Sequence, residues 1–198
     1  DYYASRGLGD VYKRQLEVWE ATNYLTASAQ NRNPDIHQLV MRVCATALLH
    51  NNLAASERDA VTKLEDALNS GRAAEQFGRM LTAQGVSAAF LSNPEAFLPS
   101  ASVIRPIYPE AEGYVESINL RWLGLSLIEM GGGHLYLEHK IDYAAGYSNL
   151  CRPGMFVSPR TPLAFVHAND VAAAEEAAVH LRGAVKISET SLPKTWVF

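Results

Sequence analysis

The chain has 198 residues, 48% of them hydrophobic, with a formal net charge of −4 and a pI near 5.9. That size fits one large domain or two small ones and buries a real core. No basic run or basic-aromatic stripe appears, so no nucleic-acid partner is expected. No apolar run approaches the roughly 20 residues a bilayer crossing needs, so no membrane association is expected either. Cys44 and Cys151 are far apart in sequence. Cys44 falls on the apolar side of an expected helix and reads as a buried thiol, and no disulfide is expected. Two lone cysteines and no secretory signal point to a reducing, cytoplasmic setting.

Residues 1–15 lack a usable apolar period and are set apart as extraneous or disordered. From Leu16 the pattern becomes helical. Leu16, Trp19, Ala21 and Leu25 predict a stripe on a helix running to about Ala29, with Glu17 and Glu20 near its start. Asn33 and Pro34 supply an N-cap and a first helical residue. The helix they open is expected to bury Ile36, Leu39, Val40, Val43, Ala47 and Leu48. Ser56 and Asp59 form a capping-box-like pair ahead of a third helix, whose inner face is Val61, Leu64 and Leu68. Gly71 predicts a left-handed C-cap. A fourth helix, Arg72 to Gln84, presents Ala73, Phe77, Met80 and Leu81. A short helical turn is expected at Pro94 to Phe97.

After Pro99 the period changes. Val103 to Ile107 reads as a strand near a sheet edge, because Pro106 cannot donate to a ladder. Gly113 to Ile118 is a second strand, followed by a helix with Leu120, Leu123, Leu127 and Ile128 on one face. Ile141 to Ser148 and Thr161 to His167 read as strands. Asn169 or Asp170 caps a helix to about Arg182, and Ala184 to Ile187 is the last strand. The expected class is α+β: a helical segment, residues 16–99, followed by a compact C-terminal unit, residues 100–198.

Four segments carry a resemblance. They are GYVESINLRWLGLSLIEMGGGHLYLEHKIDYAAGY at Gly113 to Tyr147, LEVWEA at Leu16 to Ala21, Ser70-Gly71-Arg72-Ala73-Ala74 through Ala83-Gln84-Gly85, and Pro162-Leu163-Ala164 to Ala168. In this order they resemble the C-terminal portion of the thymidine phosphorylase and pyrimidine-nucleoside phosphorylase family. The resemblance implies that residues 16–99 are the helical part of a catalytic α/β domain. It implies that residues 100–198 are the family's C-terminal domain, of hammerhead or barrel-sandwich-like build. It also implies a pentosyltransferase (glycosyltransferase) of nucleoside salvage that converts thymidine and phosphate to thymine and 2-deoxyribose 1-phosphate. The substrates would be a pyrimidine nucleoside and phosphate, and the full-length enzyme would be a homodimer.

Phosphorolysis requires groups that hold phosphate, stabilise an oxocarbenium-like sugar and take charge on the departing base. The family supplies them from a lysine- and serine-bearing loop, a TGGT-type segment and a base-binding arginine, serine and lysine. This sequence has no Lys-x-Ser and no Thr-Gly-Gly-Thr, so no catalytic residue is assigned and the chain alone is expected to be inactive. No cofactor is required. Some family members hold potassium, and Glu20 matches a glutamate of that site. Glu20 reads either as a potassium ligand or as a solvated acid complementing the helix N-terminus.

Other groups admit two readings each. Gly131-Gly132-Gly133 follows a helix, which favours a C-cap over an anion nest. His134 stands where many relatives have arginine. His134 and His139 are poorly spaced to bind zinc with Asp142 and read as ordinary surface histidines. Asp142 reads as a turn residue satisfying backbone donors before Gly146, with substrate contact as the alternative. Glu110 and Glu112 read as a solvated acidic pair, and His167 as structural. The alternative function is a non-catalytic binding or oligomerisation module of barrel-sandwich type. A carrier would need a modified lysine on a hairpin, and Lys140, Lys186 and Lys194 do not lie in such motifs.

Overall fold

The computed structural model describes residues 15–133 and 141–191. Residues 1–14, His134, His139, Lys140 and Lys194 lie outside the described residues. The chain divides into two units, Glu17–Leu98 and the residues from Pro99 on. The fold class is α+β with a compact C-terminal domain.

The first unit is helical throughout. Helix α1 spans Gln15–Thr26, so Gln15 belongs to the helix rather than to the segment set apart before it. Its packing anchor is Tyr24, at 7% exposure, with Val18 and Leu25 partly buried. Thr22 and Thr26 return their hydroxyls to the carbonyls of Val18 and Thr22, which lets both sit inside a helix. Helix α2, Pro34–His50, starts as the sequence predicts: Asn33 Oδ1 accepts from the amides of Asp35 and Ile36, and proline occupies the first turn. Its buried residues are Met41 and Ala45, with Ile36 and Val40 packed beside them. Leu39 and Val43, expected inside, are 46% and 58% exposed, Ala47 is exposed, and Cys44 is only partly buried. Apolar residues occur all round this helix, so periodicity alone does not fix its phase; the packing partners do.

Helix α3, Glu57–Asn69, is capped by Ser56 Oγ, which accepts from Asp59 N at 3.2 Å. The return bond goes one residue further back than expected: Asp59 Oδ2 accepts from Ala55 N at 2.9 Å. Lys63 Nζ ties the same carboxylate and Leu53 O, each at 2.8 Å, and holds Asp59 below the ordinary carboxylate range. Ala60 and Leu68 are buried here, whereas Val61 is 38% exposed. Gly71 adopts φ 78° between α3 and α4, Arg72–Ala83, a conformation that glycine enters without penalty. Leu81 is the buried residue of α4, packed with Val86 and Phe90, while Met80 is 45% exposed. The helical turn expected after Asn93 is a short 3₁₀ segment, Pro94–Ala96.

Among its described residues the second unit contains two three-stranded antiparallel sheets. In the first, β1 (Val103–Ile107) pairs with β5 (Ala164–Ala168), which pairs with β3 (Gly146–Ser148). Strand β1 is an edge, as Pro106 requires. In the second, β2 (Gly113–Ile118) is central between β4 (Phe156–Val157) and β6 (Val185–Ser188). Residues 141–145 form no strand; a turn built on Asp142 replaces the early half of the expected one. Helix α5, Leu120–Leu127, is capped by Asn119 and buries Leu123 and Ser126, leaving Leu120 68% exposed because it lies in the first turn. Helix α6, Val171–Ala184, is capped by Asp170 and runs directly into β6. One core joins both sheets: Val115, Val157, Leu163, Ala164 and Val166 meet Ala174, Ala177, Leu181 and Ala184 of α6.

Gly113 opens β2 where no side chain fits: a Cβ there would lie 2.6 Å from the backbone oxygen of Ser188. Gly124, mid-helix in α5, has open space around the same position. Gly113→Ala should therefore destabilise the unit by roughly 2–3 kcal/mol, whereas Gly124→Ala should stabilise it by about 0.5–1 kcal/mol. Urea midpoints of the full chain, with amide exchange read on β2 and β6, check both signs.

Candidate functional site

In the C-terminal unit a groove with charged walls lies between β1 and α6. Alternation along β1 puts Val103, Arg105 and Ile107 on the side of the sheet that also carries Ala164, Val166 and Ala168. Helix α6 lays Ala174, Ala178 and Arg182 along the same side at helical spacing. The result is a concavity of about 320 Å³, floored by Ile107, Val166 and Ala174 and rimmed by Arg105, Glu175 and Arg182. Its cations are engaged. Arg105 Nη1 lies 3.6 Å from Glu175 Oε1, and Arg182 Nε donates to Tyr108 O at 3.0 Å. The sequence reading missed this grouping. The signal was there in the period-two placement of Arg105 with Ile107 and the seven-residue step from Glu175 to Arg182. A second concavity, also about 320 Å³, lies over Asn119, Arg121, Trp122 and Leu125 on the outer side of α5.

Deeper in the unit, polar groups pin elements together. Tyr147 of β3 reaches Ser126 Oγ of α5 at 2.9 Å and Ala177 O of α6 at 3.2 Å, and Ser126 Oγ itself donates to Leu123 O. Three contacts share two hydroxyl hydrogens, so Tyr147 divides its proton between Ser126 and Ala177. Burial pushes the Tyr147 phenol above its ordinary pKa, keeping it a donor. On the opposite face of the same sheet, Ser148 Oγ and His167 Nε2 lie 2.8 Å apart. Burial lowers the His167 pKa, so the ring is held neutral.

The residues singled out from sequence take these places. Asp142 is a turn residue: its Oδ1 accepts from Ala144 N at 2.9 Å, and its amide donates to Gly131 O at 2.8 Å. The glycines follow α5 through a π-helical turn, Ile128–Gly132, in which Gly131 has φ 91°. They stand at the end of a helix, the place of a C-cap. Glu129 in that turn pairs with His180 of α6 at 3.1 Å. Glu110 and Glu112 are exposed. Cys44 and Cys151 are free thiols, and burial pushes Cys151 to about 11, which makes it inert. Lys186 lies on β6, ion-paired with Glu116 at 2.8 Å, away from any hairpin tip. Glu20 is exposed on α1 in the helical unit. Among the described residues no three His, Cys, Asp or Glu side chains converge as a metal-binding group. No described helix is long and apolar enough to cross a membrane.

Residues 114–188 match the family model of the pyrimidine nucleoside phosphorylase C-terminal domain. This stretch of the chain is similar to that domain of the pyrimidine nucleoside phosphorylases. The matched region begins in β2 and ends with β6, and so takes in the Tyr147 bracket, the glycine turn, the Asp142 turn and all of α6. The family resemblance read from Gly113 to Tyr147 and from Pro162 to Ala168 falls largely within it.

Two outcomes are expected of the C-terminal unit. Tyr147→Phe removes a shared donor without orphaning a buried N–H or O–H, so it should cost about 1 kcal/mol, measurable as a lowered urea midpoint. His167 is depressed in the folded state, so the unfolded chain binds the proton more tightly. Stability is fully present above the ordinary histidine range and declines as pH falls from there toward the lower folded value. His167→Gln should flatten that part of a stability–pH profile, measured by urea denaturation between pH 4 and 8.

Proposed function

We propose that the chain is the C-terminal portion of a thymidine phosphorylase, in which the groups that bind phosphate and base come from a portion preceding Leu16. The observation that carries the reading is the match of residues 114–188 to the phosphorylase C-terminal domain. The chemistry of the unit agrees with a supporting part. Phosphorolysis needs cations free to meet phosphate and donors aimed at developing charge. Arg105 and Arg182, which face one groove, are already engaged by Glu175 and a backbone carbonyl. The phenol of Tyr147 and the imidazole of His167 are likewise committed within the fold.

On this reading the intact enzyme is a cytoplasmic homodimer that takes a pyrimidine nucleoside and phosphate and releases the base and a pentose 1-phosphate. Glu20 contributes one oxygen ligand to a potassium site completed by upstream groups, since a hard cation takes carboxylate and carbonyl oxygens. The C-terminal domain supports closure of the sugar site and supplies no reacting group.

The test is thymine release. The purified chain, given thymidine and inorganic phosphate, should release no thymine above the protein-free blank. The same residues joined to an upstream portion bearing the lysine–serine and TGGT-type segments should release it. Turnover by the chain alone would refute the assignment of the binding groups to the upstream portion. Failure of the joined protein to bind or cleave any pyrimidine nucleoside would refute the phosphorylase reading itself.

A further inference from the structure

Helix α2 carries, near its start, a histidine whose two ring nitrogens are engaged by two other helices. His37 Nδ1 lies 2.9 Å from Tyr24 Oη of α1, and Nε2 lies 3.2 Å from Glu65 Oε1 of α3. Further bonds close a ring around them. Asn69 Nδ2 donates to Glu65 Oε2 at 3.4 Å, Arg32 Nη1 donates to Asn69 Oδ1 at 2.8 Å, and Arg32 Nε donates to Tyr24 O at 3.4 Å. Tyr24 and Arg32 are 7% and 8% exposed. The residues therefore form a partly buried polar circuit through three helices and the linker between two of them.

Counting hydrogens around the circuit limits what His37 can do. An ionised Glu65 only accepts, so the bond at Nε2 must carry a proton on the ring. Nδ1 is left with two options. In the neutral ring it accepts the Tyr24 O–H. In the imidazolium it carries a second proton and points it at Tyr24 Oη. The two charge states thus differ in the direction of one bond. Arg32, which faces Tyr24 from the linker, cannot take the displaced phenolic hydrogen, because a guanidinium has no acceptor. Cys44 on α2 and Glu65 on α3 are further ionisable groups whose fields reach Tyr24, and Asp35 stands two residues ahead of His37 on its own helix. Burial pushes the Tyr24 phenol above its ordinary range, so the hydroxyl stays protonated through neutral and acid pH.

We propose that His37 is a proton-sensitive clasp of the helical unit. Neutral, with its proton on Nε2, it ties α1 to α3 through Tyr24 and Glu65. Protonated, it keeps Glu65 but strands the Tyr24 hydroxyl hydrogen, and α1 is held less firmly. The opposed contacts make a signed prediction for the ring itself: Tyr24 favours the neutral form and Glu65 favours the cation.

The test uses the full chain labelled with ¹⁵N-histidine, with His37 assigned by difference from His37→Gln. Long-range ¹H–¹⁵N spectra from pH 4 to 9 should show the Nε2–H tautomer at neutral pH. Tyr24→Phe should raise the His37 midpoint by about 0.5–1 unit, a 3- to 10-fold gain in proton affinity, and Glu65→Gln should lower it by a similar amount. Amide exchange of α1 should speed up as the wild-type chain passes below its His37 midpoint, and that acceleration should be absent in Tyr24→Phe, which has no hydroxyl to strand. An Nδ1–H tautomer at neutral pH would overturn the proposal. So would a midpoint that falls or stays put in Tyr24→Phe, or α1 exchange indifferent to the His37 charge. If Tyr24→Phe does not fold, the wild-type tautomer, the Glu65→Gln shift and the wild-type exchange profile still decide it.

Discussion

Neither sheet of the C-terminal unit can stand without helix α6. Three short strands bury too little apolar surface on one face to be stable alone, and β4 contributes only two residues. Helix α6 solves this by presenting small residues inward. Ala174, Ala177 and Ala184 are 2%, 1% and 5% exposed, and with Leu181 at 0% they form a narrow stripe that lets strand backbones approach closely. The helix then runs into β6 without an intervening residue. One continuous stretch of chain thus covers the first sheet and supplies an edge of the second. The two ladders share a single core because the same helix is part of both.

Polar contacts then choose among packings that apolar burial leaves nearly equal. Helix α2 shows this best. Leucine, valine, methionine, cysteine and alanine occur on most of its sides, so several rotations about its axis would bury comparable area. Only one rotation brings His37 against Tyr24 and Glu65 while Met41 and Ala45 face the core. Tyr147 has the same role in the other unit. Its hydroxyl reaches α5 and α6 together, which fixes β3 relative to both helices. Each such bond is worth about 1 kcal/mol net, yet a wrong rotation strands buried donors and costs more than that.

This division explains what could be read from the residues. Features that depend on local chemistry were legible. Asn33, Ser56 and Asp170 cap the helices they precede, Gly71 takes the left-handed conformation, Pro106 stands on a sheet edge, and Asp142 closes a turn. Features that depend on which partner arrives were not. Leu39 and Val43 fit an ideal stripe and lie outside; Thr22 and Ser126 are polar and lie inside because a neighbouring carbonyl takes their protons. Residues 141–145 have strand-like composition, but the Asp142 carboxylate offers the backbone a competing bond and the strand begins only at Gly146. Spacing puts Arg105 on one face with Ile107 and Glu175 on one side with Arg182, but bringing the two sets together took the register of β1 on β5.

The disposition of these polar groups bears directly on function. A reacting site keeps some groups underused, so that a donor, a lone pair or a cation is available when substrate arrives. In the C-terminal unit several chemically able side chains among the described residues are spent on one another. Tyr147 serves Ser126 and Ala177, His167 meets Ser148, His180 meets Glu129, and Arg105 meets Glu175. Cys151, buried in the same core, is pushed to about 11 and stays a thiol. Such pairings give rigidity. That is the chemistry of a scaffold, whereas anion capture and glycosidic cleavage call for groups left available to a substrate.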